Sequence, residues 1–213
     1  MEIGSEEYWN NRYLSEKSIW GTNPAKIINI CDEIFNKYNI RDILIMGIGY
    51  GRNGKYFSEN NYNVDGIEIS DEAIKIGKTF APEVNFFKGN VLNTNLNKTY
   101  GAVFCYDIIQ ILLKNEREAL VEQCIKHCKS NGLIMISCLS KKDVLYGRGK
   151  RIEENTFTND SEKELHFHYS DEAEMEKIHP GLKPIKTENF REEYEGGITK
   201  DRIFCIYERQ YGT

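Results

Sequence analysis

The feature that most constrains the fold is a glycine-rich turn directly after a short apolar segment. Residues Asp42–Met46 form the apolar run, and Gly47, Gly49 and Gly51 follow at alternate positions. A short continuous apolar run is typical of a parallel strand covered on both faces. Glycines in the turn allow backbone N–H groups and a helix N-terminus to approach a ligand closely. The segment therefore predicts a strand, a ligand-binding turn and a helix in that order.

Strands and helices are predicted to alternate along most of the chain. Short apolar segments predict further strands at 63–68, 84–87, 102–106 and 132–138, and a closing antiparallel pair at 184–191 and 202–209. Helical spacing predicts helices at 24–38 (with Asn23 as N-cap), through Tyr56 and Phe57, from Ser70 to Gly77, and at 115–129. This alternation favours an α/β fold, a doubly wound and mostly parallel seven-stranded sheet with helices on both faces.

The 213 residues are expected to form a single domain, 1–213, because this length suits one compact core. Residues 1–22 are expected to be a lid over the ligand or an anchor to the core. Residues 139–182 interrupt the alternation with a polar, charged segment, which is expected to be an insertion before the last two strands. Ser170 followed by acidic residues predicts an N-cap and a helix to about Ile178 within this insertion.

Charge and hydropathy limit the classes of partner. The net charge of −5 does not favour binding to nucleic-acid backbones, so no DNA partner is expected. No run approaches the roughly 20 apolar residues of a membrane span, and the N-terminus lacks the pattern of a secretory signal. We therefore expect a cytoplasmic protein, monomeric or homodimeric, with a small-molecule substrate.

The six cysteines are expected to be reduced core residues rather than metal ligands. Four of them, Cys31, Cys105, Cys138 and Cys205, lie inside apolar runs. Cys124, His127 and Cys128 have a spacing that could place three ligands on one helical face. The same segment carries an apolar helical stripe, and no second ligand cluster follows, so no metal is predicted.

An acidic residue follows the glycine turn at a meaningful distance. Glu68 ends the second predicted strand, 21 residues after Gly47. In doubly wound folds an acid at this place accepts hydrogen bonds from ribose hydroxyls, so a nucleoside-containing cofactor is predicted. The glycines fit two registers: Gly47-x-Gly49-x-Gly51, or Gly49-x-Gly51-x-x-Gly54, which is the dinucleotide fingerprint. A strand that ends at Met46 favours the first.

With these motifs the sequence resembles the class I S-adenosylmethionine-dependent methyltransferases. The resemblance rests on Leu44–Asn53, Gly66–Ser70 and Lys88–Val91, together with the leading helix and the closing strands. It implies a Rossmann-like methyltransferase fold, S-adenosyl-L-methionine as cofactor and S-adenosyl-L-homocysteine as product. Two positions depart from the family pattern, because Ile45 and Asn90 stand where many members carry Asp. The cofactor-binding residues that the resemblance implies are Gly47, Ile48, Gly49, Gly51, Asn53, Glu68, Ile69, Asn90, Val91, Cys105 and Tyr106.

The N-terminal segment resembles that of the small-molecule branch of this family, which includes tellurite-resistance-like and thiopurine-like enzymes. Aromatic faces attract cations, so its side chains could cover a sulfonium, or could simply anchor the segment. The resemblance implies in-line methyl transfer to a thiol, a metalloid or another small nucleophile. The segment after the fourth strand lacks the motif of enzymes that methylate nucleobase amino groups. The lid or substrate candidates are Tyr8, Trp9, Arg12, Tyr13 and Trp20.

No catalytic residue is assigned from the sequence, but three candidates are noted. His166 and His168 alternate on an extended segment and could deprotonate a substrate, although surface positions are the alternative. Tyr146-x-x-x-Lys150 matches the catalytic pair of short-chain dehydrogenases, which leaves an NAD(P)-dependent oxidoreductase as an alternative. The intervening glycines do not favour the helix that this pair requires. A non-catalytic nucleotide-cofactor-binding module is the other alternative.

Overall fold

The computed structural model describes residues 5–158, 165–194 and 197–210. The first part of the chain alternates helices and strands: α1 (Glu6–Glu16), α2 (Ile28–Lys37), β1 (Asp42–Met46), α3 (Arg52–Glu59), β2 (Asn63–Glu68), α4 (Asp71–Phe80), β3 (Asn85–Lys88), β4 (Tyr100–Cys105), a 3₁₀ turn (Ile109–Ile111), α5 (Lys114–His127) and β5 (Cys128–Ser140). The remainder comprises β6 (Arg151–Glu153), β7 (Thr156–Thr158), β8 (His166–Ser170), α6 (Glu172–Glu176), β9 (Leu182–Glu193) and β10 (Thr199–Arg209). None of the helices in these described ranges is long and apolar enough to cross a membrane.

Seven strands form the main sheet in the order β3-β2-β1-β4-β5-β10-β9. Strands β1 to β5 pair in parallel, and β10 runs antiparallel to both β5 and β9. The fold class predicted from the sequence is therefore confirmed, including the closing antiparallel pair. The insertion adds three strands that were not predicted. Strand β8 pairs with the end of β5 and continues into the antiparallel strands β7 and β6.

Helices cover both faces of the sheet, and this explains the continuous apolar character of β1. Ile43 and Ile45 pack in the core on the side of α2 and α3. Leu44 and Met46 pack in the core on the side of α5. Successive side chains of a strand point to opposite faces, so a strand buried on both faces has no solvent-facing positions. All six cysteines are buried and free, as predicted.

The structure corrects two predicted helix starts. Helix α2 begins at Ile28 rather than Pro24, because the Ala25 N–H donates to Asn53 Oδ1 (2.9 Å) and a turn precedes the helix, closed by the Ile28 N–H on the Ala25 carbonyl (3.0 Å). Helix α6 is capped by Asp171 rather than Ser170, since the Asp171 carboxylate accepts from the Glu174 N–H (2.9 Å). Ser70 caps α4 as predicted, with its hydroxyl oxygen accepting from the Ala73 N–H.

Candidate active site

A cavity of about 590 Å³ lies at the carboxyl ends of β1, β2 and β4. Its walls come from the turn after β1, the ends of β2 and β4, helix α1, the 3₁₀ turn and strand β8. Open α/β sheets bind their ligands at this edge, and small-molecule sites have volumes of roughly 300–1,000 Å³. The position and the size of the cavity make it the candidate active site.

The turn after β1 brings its backbone to the cavity wall. Gly47, Gly49 and Gly51 have φ angles of +66°, +60° and +87°, which side chains rarely tolerate. Gly47 and Gly49 line the cavity together with Ile48. Gly54 lies within α3, where a Cβ atom would be 3.0 Å from Ile48 Cδ1. The turn therefore starts at Gly47, and Gly54 serves close packing of the helix.

Glu68 is held at the floor of the cavity by the backbone on either side. Its Oε2 accepts from the Gly49 N–H and its Oε1 accepts from the Ser70 N–H, both at 2.8 Å. Glu68 is 5% exposed. Burial raises the pKa of this carboxyl, while the N–H groups of Ser70 and Gly49 act in the opposite direction. The Ile69 N–H also lowers this pKa. A carboxylate has about four acceptor sites, so capacity remains for a ribose hydroxyl.

Residues after β2 and β3 continue the wall. Ile69, Asn90 and Val91 line the cavity. The Asn90 Oδ1 accepts from the Leu92 N–H (2.9 Å), which fixes the amide in a local turn. A base bound here would therefore meet an amide oxygen that already accepts one hydrogen bond. Asn53, whose Oδ1 receives the Ala25 N–H, lines the opposite part of the cavity.

Two residues implied by the resemblance lie outside the lining. The Cys105 side chain is buried in the core that contacts α5. A Cβ atom at Gly51 would meet Phe86 Cζ at 3.0 Å and Ala81 Cβ at 3.1 Å, so this glycine allows close packing of α4 and β3. Tyr106 does line the cavity; it is 7% exposed, and its hydroxyl has no hydrogen-bond partner among the described residues.

A buried polar cluster below the cavity was not foreseen from the sequence. Asp107, which lines the cavity, has a φ of +63°. Its carboxylate accepts from Arg202 Nη1, which also donates to Gln110 Oε1 (3.2 Å). Burial raises the pKa of Asp107, and the guanidinium groups of Arg202 and Arg52 oppose this. The available signal was Arg202 itself, a cation directly before the apolar run Ile203–Tyr207 of β10.

Helix α1 covers the cavity and is also fastened to the core. Trp9, Arg12, Tyr13 and Trp20 line the cavity, whereas Tyr8 does not. The Arg12 guanidinium lies over the rings of Trp9 and Trp20, at 5.8 and 5.3 Å from their centroids. Asn10 Oδ1 accepts from the hydroxyl of Ser70 at 2.8 Å, which ties α1 to the cap of α4. The N-terminal segment thus has features of both a lid over the ligand and an anchor to the core.

The three catalytic candidates occupy different places. His166 lines the cavity. His168 lies outside this cavity, where its Nε2 contacts Glu174 Oε1 (2.7 Å) and its Nδ1 contacts Thr156 Oγ1 (3.1 Å). Tyr146 is 38% exposed and donates to Asn155 Oδ1 (2.9 Å), outside the cavity.

The dehydrogenase-like pair lacks the helix that its chemistry needs. Gly147 and Gly149, which separate Tyr146 from Lys150, have φ angles of +79° and +85°. Positive φ angles at both glycines prevent an α-helix. Tyr146 and Lys150 therefore do not share a helical face.

The residues considered as metal ligands serve packing and capping. Cys124 and Cys128 are buried in the core under α5. His127 Nδ1 contacts Gln123 O (2.9 Å), and its Nε2 accepts from the Leu96 N–H (3.3 Å), so both ring nitrogens are engaged. Within the described ranges, no group of three or more His, Cys, Asp or Glu side chains is arranged to hold a metal ion.

The parallel sheet, the glycine turn after β1 and the buried acid after β2 define a Rossmann-like protein built to hold a nucleoside. Residues 43–132 match the family model described as "Methyltransferase domain". This match supports the resemblance to the class I S-adenosylmethionine-dependent methyltransferases that the sequence predicted. S-adenosylmethionine is the cofactor of this class and S-adenosylhomocysteine is its product.

Curated relatives cover part of this chain at low identity. The ubiquinone biosynthesis O-methyltransferase of Rickettsia akari (strain Hartford) is 24% identical over 135 residues, which are 60% of this chain and 53% of the relative. The protein of the same name from Nitrosomonas europaea is 24% identical over 145 residues, 65% of this chain and 60% of the relative. The chain spans about half the length of the curated relatives it matches.

Solved structures share the fold over nearly the whole chain. An S-adenosylmethionine-dependent methyltransferase from Methanosarcina mazei has a TM-score of 0.73 at 17% identity, covering 83% of this chain and 97% of that one. The magnesium protoporphyrin IX methyltransferase from Synechocystis, with bound S-adenosylhomocysteine, has a TM-score of 0.71 at 13% identity and covers 96% and 98%. At these identities the similarity concerns the fold alone.

Proposed function

We propose that this protein transfers a methyl group from S-adenosylmethionine to a small-molecule acceptor bound in the same cavity. The observation that carries the proposal is that a single cavity has a polar end and an apolar end. One end holds the positive-φ glycine turn and the buried Glu68 carboxylate. The other end is lined mostly by apolar residues from the 3₁₀ turn, its flanks and β8.

The residues at the polar end of the cavity support binding of the nucleoside there. Glu68 is positioned to accept the ribose hydroxyls, and Ile69, Asn90 and Val91 flank the place of the base. The Arg12 guanidinium, also on the cavity wall, provides positive charge for a carboxylate. Because Ile45 replaces the acid that many family members carry, the amino group would depend on backbone carbonyls of the turn.

The apolar end supports an acceptor of limited size. The sulfonium supplies an electrophilic methyl carbon, which an acceptor lone pair attacks in line while the carbon–sulfur pair stays on sulfur. The protein's part is then to position the acceptor and exclude water. Relatives differ in acceptor. The curated ones are named for ubiquinone biosynthesis and O-methylation, whereas a similar structure from Burkholderia thailandensis is a 1,6-didemethyltoxoflavin-N1-methyltransferase. A thiol, a metalloid or another small nucleophile is therefore proposed as the general class.

Calorimetry tests the proposal directly. We expect S-adenosylmethionine and S-adenosylhomocysteine to bind in the micromolar range, and NADH not to bind. Incubation with labelled S-adenosylmethionine and a panel of thiols, phenols, metalloid anions and amines should then yield a methylated product. Tighter binding of NADH would contradict the proposal. Binding of S-adenosylhomocysteine without turnover of any acceptor would favour a non-catalytic binding module.

A further inference from the structure

The acceptor end of the cavity contains one histidine among apolar side chains. Ile108 and Leu112 flank the 3₁₀ turn after β4, and Leu165 and Phe167 flank His166 at the start of β8. Strand β8 pairs with β7 through the position Thr158–His166, so the histidine is placed by regular backbone hydrogen bonding. Gln110 and Glu116 also line the cavity, but their side-chain oxygens accept from Arg202 Nη1 and the Leu113 N–H. A largely apolar pocket fixes the orientation of a ligand through its few polar groups.

His166 has an unused nitrogen. The residue is 8% exposed, and its Nε2 has no hydrogen-bond partner among the described residues. Buried polar atoms are nearly always paired, and one left unpaired calls for a reason such as a catalytic role or a missing ligand. His168, two residues along the same strand, has both ring nitrogens engaged. The unpaired nitrogen is therefore particular to the histidine that lines the cavity.

The charges around His166 leave the imidazole neutral near pH 7. Burial lowers the pKa of His166, and the Arg117 guanidinium on α5 acts in the same direction. Glu116 on α5 and Glu153 on β6 raise it, without reversing the net effect. Glu153 also forms an ion pair with Arg117 (3.4 Å), and Glu116 Oε2 accepts from the Leu113 N–H (2.8 Å). These partners reduce the effect of both carboxylates on the imidazole.

We infer that His166 is the general base for an acceptor that carries a phenol-type hydroxyl on a small apolar body. This inference rests on the proposed function. The hydroxyl proton passes to Nε2 and leaves its bonding electrons on the acceptor oxygen. That oxygen forms the new bond to the methyl carbon as the carbon–sulfur bond breaks with its pair on sulfur. The imidazolium then releases the proton to water.

Acidity selects the phenol class among possible acceptors. A phenol, with a pKa of about 10, is almost entirely un-ionised near pH 7, and a neutral imidazole can accept its proton when transfer accompanies bond formation. An aromatic thiol is already largely ionised near neutral pH and needs no base. The pocket that surrounds His166 suits the ring, because Phe167 and the leucine and isoleucine side chains offer apolar contact.

The first test measures binding. The protein labelled with ¹⁵N-histidine is saturated with S-adenosylhomocysteine, and phenol is added as the probe. We expect the ring signals of His166 to titrate below the ordinary range and to shift on addition of phenol. The signals of His168 should not shift. His166 signals that stay unchanged at saturating phenol, or a complex that binds neither phenol nor thiophenol, would overturn the inference.

The second test compares two probes of similar shape, phenol and thiophenol, in the variant His166→Asn. A general base is worth roughly 100-fold or more, so we expect methylation of phenol at pH 7 to fall by at least about that factor. Methylation of thiophenol should change less than about threefold. In the variant, the rate with phenol should rise with pH in proportion to free phenolate. An equal loss with both probes would indicate a structural role and overturn the assignment.

The matched control is His168→Asn, on the same strand but with its ring outside the cavity. This variant is expected to lower thermal stability, because it breaks the contact with Glu174, and to leave the phenol-to-thiophenol ratio unchanged. Calorimetry with S-adenosylhomocysteine distinguishes failure of the proposed function from failure of the role of His166. If the wild-type protein does not bind S-adenosylhomocysteine, the proposed function is refuted. Intact binding with an unchanged probe ratio in His166→Asn refutes only the role of His166.

Discussion

The substitution Glu68→Gln should weaken binding of S-adenosylhomocysteine without removing the side chain from the cavity. Each carboxylate oxygen of Glu68 already accepts one backbone N–H, from Gly49 or from Ser70. A carboxylate has about four acceptor sites, so capacity remains for a ribose hydroxyl. A glutamine has only one accepting oxygen, and its NH₂ group would face one of the two N–H donors. The variant thus loses one charge-assisted hydrogen bond and weakens the other.

The size of the effect follows from the charge on Glu68. Hydrogen bonds to charged groups contribute about 1.5–3 kcal/mol, which corresponds to a rise in Kd of about 10- to 100-fold. Isothermal titration calorimetry, at a temperature well below the melting transition of both proteins, measures this rise in Kd. Since burial raises the pKa of Glu68, wild-type affinity should also fall as the pH drops towards that pKa. The Gln variant should lose this pH dependence, because its side chain does not ionise.

Two comparisons make the Glu68 prediction decisive. Asn90→Ala should cost less than about tenfold, because the Asn90 amide is neutral and its oxygen already accepts from Leu92. Glu68→Ala should also destabilise the fold, because it leaves the buried N–H groups of Gly49 and Ser70 unpaired at about 1–3 kcal/mol each. A folded Gln variant that binds within twofold of wild type would refute the assigned ribose site.

Two further substitutions probe the turn and the sheet beneath it. Gly49→Ala should abolish measurable S-adenosylhomocysteine binding in calorimetry, because φ is +60° and the new Cβ would lie 2.8 Å from Tyr13 Oη. The second substitution concerns Asp65, whose carboxylate accepts from Lys98 Nζ (2.6 Å) and Tyr100 Oη (2.8 Å). Burial raises the pKa of Asp65, but these hydrogen bonds outweigh it and hold the pKa below the ordinary value. Asp65→Asn should therefore cost about 2 kcal/mol in urea unfolding at pH 7, and the difference should vanish as the pH falls through that lowered pKa. If the loss of unfolding free energy does not change with pH, the charge of Asp65 does not stabilise the fold as argued.

The parts of the site that are local in sequence could be predicted. The end of β1 at Met46, the glycine turn and Glu68 follow from an apolar run, positive-φ residues and the spacing to the next strand. Each of these depends on residues within about one βαβ unit. The closing pair β9 and β10 was also predictable, because both strands are long.

The parts that depend on distant residues could not be predicted. The contact of Arg202 with Asp107 joins residues 95 positions apart, and it exists only because β10 inserts between β5 and β9. The strands of the insertion are three to five residues long and lack a clear apolar alternation. His166 and His168 are two residues apart, so the sequence alone did not distinguish them on an extended segment. His166 lines the cavity and His168 does not, and this depends on the pairing of β8 with β5 and β7.

We expect α1 to act as an anchored cover rather than a mobile lid, and hydrogen exchange can separate the two roles. Asn10 Oδ1 accepts from the hydroxyl of Ser70 (2.8 Å) and from the Glu72 N–H (3.3 Å), and Tyr13 is only 4% exposed. A mobile lid would exchange its amides rapidly without ligand and become protected on binding. We expect the amides of residues 10–16 to be protected already in the ligand-free protein. Added S-adenosylhomocysteine should then protect mainly residues 17–21.

The variant Asn10→Ala links this protection to one side chain. It removes the acceptor for Ser70 and Glu72, at a cost of about 1 kcal/mol for the neutral hydrogen bonds, so exchange within α1 should accelerate about fivefold. The matched control is Asn36→Ala, which removes an exposed amide that donates to Asp32 Oδ1 within α2 (3.1 Å). It should leave exchange in α1 unchanged. If residues 10–16 exchange as fast as an unfolded chain before ligand is added, the contacts of Asn10 and Tyr13 do not hold α1, and the segment is a lid that closes on binding.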